Sequence, residues 1–340
     1  MIGSTTDTIN LLSKTTWRRA YNAASVLATY NISSVRKVAN IRGMPISIAI
    51  EPTTSCNLRC PECPSGRRSF TRPTGTLDDH RFRSLVDQLA PTLSYLTFYF
   101  QGEPFLHPRF LEMVRYAVSQ QVYTATSTNG HFITESSAEE TVRSGLDRLI
   151  ISIDGADQET YRSYRIGGSL EKVIQGTESI VRWKRKLKSR TPHVVFQFLV
   201  VGPNEHQIDD VRELARSLSV DQLVLKTAQI YDHQQGSHLI PSIEKYSRYG
   251  KNADGTYSLK NRLSDHCWKM WHSCVVTWDG KVVPCCFDKD AHFVLGDLAQ
   301  HSFEEIWFGK EYNQFRQSLL KSRKEIEICR NCTEGTRVWA

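Results

Sequence analysis

A chain of 340 residues can bury a full α/β core with a small appendage, and 23% charged against 40% hydrophobic residues exclude a disordered protein. No run approaches the roughly 18 apolar residues of a membrane span. The opening MIGSTTDTIN lacks a charged start followed by a compact apolar run, so a secretory signal is not expected and a cytoplasmic location is. Of the net charge of +7, an excess of five lies in residues 1–45, where Lys14, Arg18, Arg19, Arg36, Lys37 and Arg42 stand against Asp7 alone. This basic helical arm fits a solvated helix packed on the domain, but also a contact with nucleic acid, an anionic membrane or an acidic partner.

After the arm, β-branched and apolar runs predict strands at 46–53, 94–100, 122–128, 148–154, 194–201 and 221–227. Amphipathic stretches predict helices at 78–90, 108–120, 136–145, 170–187 and 205–218, with Pro108 suited to a first helical turn. Strands interleaved with helices imply a parallel sheet with right-handed crossovers. Interiors such as VVFQFLVV are apolar on both faces, as strands covered on both sides must be. Six units are too few for a closed eight-unit barrel. The expected fold is therefore α/β, a partial (βα)6 TIM-like barrel over 46–229. A polar, turn-rich linker follows at 230–262, and 263–340 reads as a small β-hairpin and helix extension. Ligands of parallel sheets collect outside the carboxyl ends of the strands.

The nine cysteines fall into two groups. Cys56, Cys60 and Cys63 occupy CNLRCPECP directly after the first strand, and the other six lie beyond residue 266. In a reducing compartment this clustering favours metal or redox chemistry over disulfides. Thiolates suit iron–sulfur clusters or zinc. Three of them, with no fourth nearby, leave a coordination position open, which marks a catalytic rather than a structural centre.

This CxxxCxxC loop after the first strand resembles that of the radical S-adenosylmethionine superfamily. Further stretches carry the likeness over roughly 45–230. FQGEP (100–104) resembles the motif that holds the methionine amino group, STNG (127–130) ends the third strand, SIDG (152–155) ends the fourth, and YRSYRIGG (161–168) follows. The resemblance implies a 4Fe–4S cluster on Cys56, Cys60 and Cys63 whose open iron takes S-adenosylmethionine. It implies cofactor contacts from Gln101, Gly102, Glu103, Asn129, Ser152, Asp154 and Arg165, with Glu103 on the amino group and Arg165 on the carboxylate. No catalytic side chain beyond the cluster is assigned. Two positions depart from the family pattern: Gln101 replaces a glycine, and Glu62 stands where an aromatic residue is usual.

In the C-terminal group, Asp279-Gly280 between VVTWD and KVVP predicts a hairpin, and CRNC (329–332) is a ligand knuckle. The arrangement resembles SPASM/Twitch extensions with one auxiliary 4Fe–4S cluster, with zinc as the alternative occupant. Cys267, Cys285, Cys329 and Cys332 are the expected ligands. Neighbouring residues of an extended chain face opposite ways, so only one of Cys285 and Cys286 faces the site. Cys274 reads as a packed thiol, and Asp288 and Asp290 as solvated turn carboxylates.

The expected function is reductive cleavage of S-adenosylmethionine to a 5′-deoxyadenosyl radical and hydrogen abstraction from a substrate that the sequence does not name. A four-thiolate auxiliary cluster has no open iron, which points to an electron conduit and a net oxidation. One alternative is a peptide or protein maturase, and another is a non-catalytic iron–sulfur or zinc protein. Expected partners are a flavodoxin or ferredoxin donor and a small-molecule or peptide substrate. The cofactor-pocket motifs argue against a nucleic-acid role.

Overall fold

The computed structural model describes residues 5–261 and 263–335. The first residues of the arm, the last residue of the 230–262 segment and the end of the 263–340 extension lie outside the described residues. Eleven strands are present among the described residues: β1 (Ser47–Ile50), β2 (Tyr95–Phe98), β3 (Tyr123–Thr128), β4 (Arg148–Ser152), β5 (His193–Val200), β6 (Gln222–Thr227), β7 (Tyr249–Lys251), β8 (Tyr257–Leu259), β9 (Ser273–Val276), β10 (Lys281–Val283) and β11 (Gly296–Asp297). The chain forms two compact units. One holds Met1–Ser55, Phe70–Thr124 and Leu263–Ala340, and the other holds Cys56–Ser69 and Ala125–Arg262.

In the first unit, β1 pairs in parallel with β2 on one side and with β9 on the other, Ser47 facing both Tyr95 and Ser273. Antiparallel β9–β10 and β10–β11 pairs extend this sheet. The expected hairpin is thus present, and Gly280 takes φ +90° at its turn, which glycine adopts without a Cβ penalty. Helix Asp79–Leu89 starts under the Asp78 side chain, which accepts the Arg81 N–H, and buries Phe82, Leu85, Val86 and Leu89, the stripe a 3.6-residue period puts on one face. Helix Phe110–Ser119 begins two residues later than Pro108, which sits in the turn before it, because Pro104–Leu106 already forms a tight 3-10 turn.

Helices α1 (Thr5–Ser13) and α2 (Trp17–Arg36) make up the arm. Arg19 anchors α2. Its guanidinium donates to the carbonyls of Lys14, Ala90, Gln120 and Gln121 at 2.5–3.0 Å. All four carbonyls lie at or just past the C-terminal ends of helices, where a buried cation is favoured. Asn22 bonds the Met44 backbone through both its amide oxygen and its nitrogen, and the Tyr30 hydroxyl meets His266 Nδ1 at 2.9 Å. The inward face of α2 is therefore unusually polar, its Asn22 amide, Tyr30 hydroxyl and terminal Arg19 nitrogens all hydrogen-bonded.

In the second unit, β3–β4, β4–β5 and β5–β6 are all parallel. Helices Glu135–Arg143, Leu170–Lys186 and Ile208–Ser217 provide the crossovers that parallel pairing requires. A further helix, Gln158–Tyr164, capped by Asp157 onto the Thr160 N–H, has no counterpart among the helices expected from sequence. The 230–262 segment carries the antiparallel β7–β8 pair. Ile230, Leu239 and Tyr249 within it are buried in one apolar cluster with Leu58, Cys60 and Tyr164.

Candidate metal centres

The three-cysteine loop belongs to the second unit. Leu58 is fully buried and Cys60 nearly so, while Cys56 and Cys63 are half-buried. The Arg59 N–H donates to the Ile166 carbonyl at 3.0 Å, and Arg68 Nη2 donates to the Cys56 carbonyl at 2.7 Å. Gly66 packs onto the Cys60 backbone so closely that a Cβ would lie 2.6 Å from its nitrogen and oxygen, so a larger residue would displace the cysteine.

Donors point at the sulfurs. The Leu58 N–H reaches Cys56 Sγ at 3.5 Å, Asn129 Nδ2 reaches the same sulfur at 3.8 Å, and Arg165 Nη1 reaches Cys60 Sγ at 3.7 Å. Burial first, and then the neighbouring Cys63, Asp154 and Cys56 charges, push the Cys60 thiol up to about 11 against the lowering effect of Arg165. Without a metal it is protonated at neutral pH, and loading a cluster releases that proton.

Several of the residues expected from sequence converge here. Arg165 Nε donates to Asp154 Oδ2 at 2.5 Å, in a pair 15% and 0% exposed. Asp154 Oδ1 accepts the Leu199 N–H at 2.7 Å. Asp154 thus bonds both the arginine and the strand. Asn129 donates from Nδ2 to Asn57 Oδ1 at 2.7 Å, and its Oδ1 accepts the His131 N–H at 3.1 Å. Ser152 is buried at the end of β4, opposite Gln197 of β5.

Gln101, Gly102 and Glu103 lie in the first unit, after β2. Gly102 takes φ +73°, and a Cβ there would sit 2.1 Å from the Thr53 carbonyl oxygen, so only glycine fits. The Glu103 N–H bonds to the Ser55 carbonyl at 2.8 Å, which fixes this motif to the residue preceding Cys56. Glu103 is buried and its Oε1 also caps the Pro104–Leu106 turn through the Phe105 N–H, while Gln101 is buried beside it in sequence.

Two features escaped the sequence reading. Glu62, in the place of an aromatic residue, accepts the Tyr231 N–H at 2.9 Å, and the Tyr231 ring lies 5.9 Å from the Arg67 guanidinium. In the first unit, Glu51 is fully buried and paired by the two terminal guanidinium nitrogens of Arg72 at 2.6 and 2.8 Å. The same short segment is held by Thr71 on Asp290 and by Trp278 Nε1 on the Pro73 carbonyl. Only the dipeptide EP and an isolated arginine marked these positions, and neither pattern has a spacing that signals a pair.

The second thiol set lies in the first unit. Cys267, Cys329 and Cys332 are buried, Cys285 is half-buried, and Cys286 is exposed. Burial raises the Cys285 thiol well above its ordinary range, and the Cys286, Cys332 and Cys267 charges add to the effect. Burial, partly offset by Arg323, brings Cys329 to about 11 and Cys332 to about 12. Arg323 is 1% exposed and donates from Nη2 to Cys332 Sγ at 3.1 Å and to the Glu334 carbonyl at 2.7 Å. Its Nε is a buried donor with no hydrogen-bond partner. Lys269 adds a second cation, raised chiefly by the Cys286 charge. Gly335, at φ +77°, leaves room for Cys267, whose sulfur would lie 2.2 Å from a Cβ there.

Cys274 is buried in β9, its thiol raised by burial against the lowering effect of Arg316. Asp288 is not a solvated turn carboxylate. It is 1% exposed and accepts the His292 and Phe293 N–H groups, while Asp290 is bound to Thr71.

Among the described residues, no three His, Cys, Asp or Glu side chains converge as they would on a single metal ion. The fit to a cluster rests instead on donor chemistry: grouped thiols, N–H donors aimed at sulfur, and buried cations offsetting thiolate charge.

Comparison with known proteins agrees. The radical SAM superfamily model matches residues 50–218, and the model of an iron–sulfur cluster-binding domain, SPASM, matches residues 267–333. The AdoMet-dependent heme synthase of Methanosarcina barkeri is 32% identical over 321 residues, covering 84% of this chain and 88% of that protein. The chain belongs to the radical SAM superfamily. A second relative of this radical SAM protein is the tungsten-containing aldehyde ferredoxin oxidoreductase cofactor-modifying protein of Pyrococcus furiosus, 24% identical over 84% of this chain and 86% of that one. Among solved structures, Streptococcus suis SuiB bound to precursor peptide SuiA matches with a TM-score of 0.64 at 12% identity, covering 91% of this chain and 80% of that chain, and it shares the fold. The radical SAM domain brings a 4Fe–4S cluster and S-adenosylmethionine, and the SPASM domain brings further iron–sulfur binding.

Proposed function

We propose that this radical SAM protein oxidises a small organic substrate, and that Cys267, Cys285, Cys329 and Cys332 would hold a C-terminal cluster able to supply an electron acceptor. When bound, the reduced first cluster and S-adenosylmethionine supply a 5′-deoxyadenosyl radical, the agent of hydrogen abstraction. The chain's own residues bind and orient. Cys56, Cys60 and Cys63 would hold the first cluster, Glu103 would take the methionine ammonium, and Arg165, fixed by Asp154, would take its carboxylate by charge-assisted bonds. Gln101, Gly102, Asn129 and Ser152 would be further cofactor contacts.

The observation that carries the oxidative reading is the second thiol set. Buried Cys267, Cys329 and Cys332 and half-buried Cys285, with Cys286 exposed, would fill every iron of a second 4Fe–4S cluster, leaving it to carry electrons. Arg323 and Lys269 beside the sulfurs favour the reduced, more negative state of such an acceptor. The names of the two relatives, a cofactor-modifying protein and a heme synthase, support a cofactor precursor or similar small molecule as substrate. A peptide substrate is the second reading, favoured by the fold shared with peptide-bound SuiB. A flavodoxin or ferredoxin in the cytoplasm would supply the low-potential electron; among the described residues no helix is long and apolar enough to cross a membrane.

The two centres separate by mutation. Cys60→Ala is expected to abolish 5′-deoxyadenosine formation, whereas Cys285→Ser is expected to keep substrate-free cleavage within about tenfold of wild type while losing oxidised product. If Cys285→Ser stops cleavage as completely as Cys60→Ala, with the iron of the first cluster still present by analysis, the conduit role fails.

A further inference from the structure

Helix α2 is built inside out. Its inward positions are Arg19, Asn22, Val26, Thr29, Tyr30 and Ser33, mostly polar and held by the arm's hydrogen bonds. At about 100° per residue, the opposite side carries Trp17, Tyr21, Ala24, Ala28, Ile32 and Val35 within one narrow stripe. The large members face solvent, with Trp17 74%, Tyr21 72% and Val35 83% exposed. Five turns of helix make this stripe roughly 27 Å long. On α1, Ile9 and Leu12 are also exposed.

The charges around the stripe have one sign. Arg18 and Arg36 project from the same shoulder of α2, five turns apart, and Lys37 caps the helix end; all three are exposed. Asp7, the one acidic residue of the arm, is buried against the Tyr123 hydroxyl. A surface that is apolar along its crest, aromatic at its first turns and wholly cationic on its shoulder matches an interfacial membrane helix. Indole and phenol rings suit the headgroup level, and the cations suit anionic lipids.

We infer that α2 seats this protein on an anionic lipid surface, lying in the interface plane through Trp17, Tyr21, Ile32 and Val35. A second copy is a poorer occupant: antiparallel pairing through the stripe would place Arg18 of one chain beside Arg36 of the other, like charge against like. The inference is independent of the catalytic reading, since none of these residues belongs to either thiol site.

The test is co-sedimentation of the cluster-loaded, full-length protein with vesicles of phosphatidylcholine alone and of phosphatidylcholine containing phosphatidylglycerol. The protein is expected to pellet with the anionic vesicles and to remain largely soluble with the neutral ones. The double variant W17S/V35S is expected to weaken partition on the order of tenfold. The double variant R18E/R36E should weaken it as well, and should flatten the salt dependence seen in wild type. All four side chains are exposed, so 5′-deoxyadenosine formation without vesicles should stay at the wild-type rate and certify folding. Equal recovery with both vesicle types, or wild-type partition of W17S/V35S, would overturn the inference. A lipid-free dimer that W17S/V35S splits would also overturn it, by assigning the stripe to a second copy.

Discussion

Cys285→Ser should remove about four iron atoms per chain together with the matching acid-labile sulfide, while Cys286→Ser leaves both unchanged. The asymmetry follows from placement. Cys285 lies within electrostatic reach of Cys332 and Cys267, whereas Cys286 is exposed to solvent. Serine keeps the size of the side chain but is a poor ligand for iron at neutral pH. The loss is therefore expected in the visible absorption and the iron count before any loss of helix content. Iron and sulfide analysis on anaerobically reconstituted variants decides it, and equal retention by both variants would place the auxiliary ligand elsewhere. A zinc-loaded second site would instead show zinc released by Cys285→Ser at constant iron.

Arg165→Met should be the most damaging change that spares every thiol. It strands Asp154, which is fully buried and accepts only one other bond named here, from the Leu199 N–H. Breaking a buried pair from one side costs about 3–5 kcal/mol. The same variant removes the donor toward Cys60 Sγ and the proposed clamp for the cofactor carboxylate. Affinity for S-adenosylmethionine should fall at least roughly thirtyfold. The double variant R165M/D154N should regain most of the stability, because no charge is left unpaired, and little of the affinity. Chemical unfolding and equilibrium dialysis against S-adenosylmethionine separate the two effects. Full recovery of affinity in the double variant would show that Arg165 acts on the loop alone and does not touch the cofactor.

Much of the fold was legible because its signals are local. The six strands of the parallel units lie within a few residues of their expected bounds, since apolar runs flanked by amphipathic helices have no other economical packing. Asp279-Gly280 announced the β9–β10 hairpin. What stayed hidden depends on partners distant in the chain. That β9 pairs in parallel with β1, more than 200 residues earlier, has no local mark. The burial of Glu51 depends on Arg72, and that of Asp288 on the backbone turn that follows it. Helix Gln158–Tyr164 is short and carries only two buried residues, Tyr161 and Tyr164, too few for a periodic signal. The 230–262 segment looked like a linker from its polarity, yet Ile230, Leu239 and Tyr249 bury it beside the cysteine loop.

The same contrast holds at the sites. Cysteine spacing marked the three-thiol loop, and alternation along an extended chain left one of two adjacent cysteines to face inward. The supporting groups carried no such spacing: Asp154 behind Arg165, Arg323 on Cys332, and Gly335 opposite Cys267 appear only once the chain is folded. Basic character was legible in the arm as a count of charges, but not the inversion of α2. That inversion requires knowing that Arg19 and Asn22 face inward onto carbonyls.

The most direct test is chemical. The anaerobically reconstituted wild-type protein, reduced with dithionite and given S-adenosylmethionine, should release 5′-deoxyadenosine and methionine in equal amounts, and Cys60→Ala should release neither. No 5′-deoxyadenosine from a fully iron-loaded wild-type protein, or release that survives Cys60→Ala, would contradict the account of this loop as the radical-generating centre.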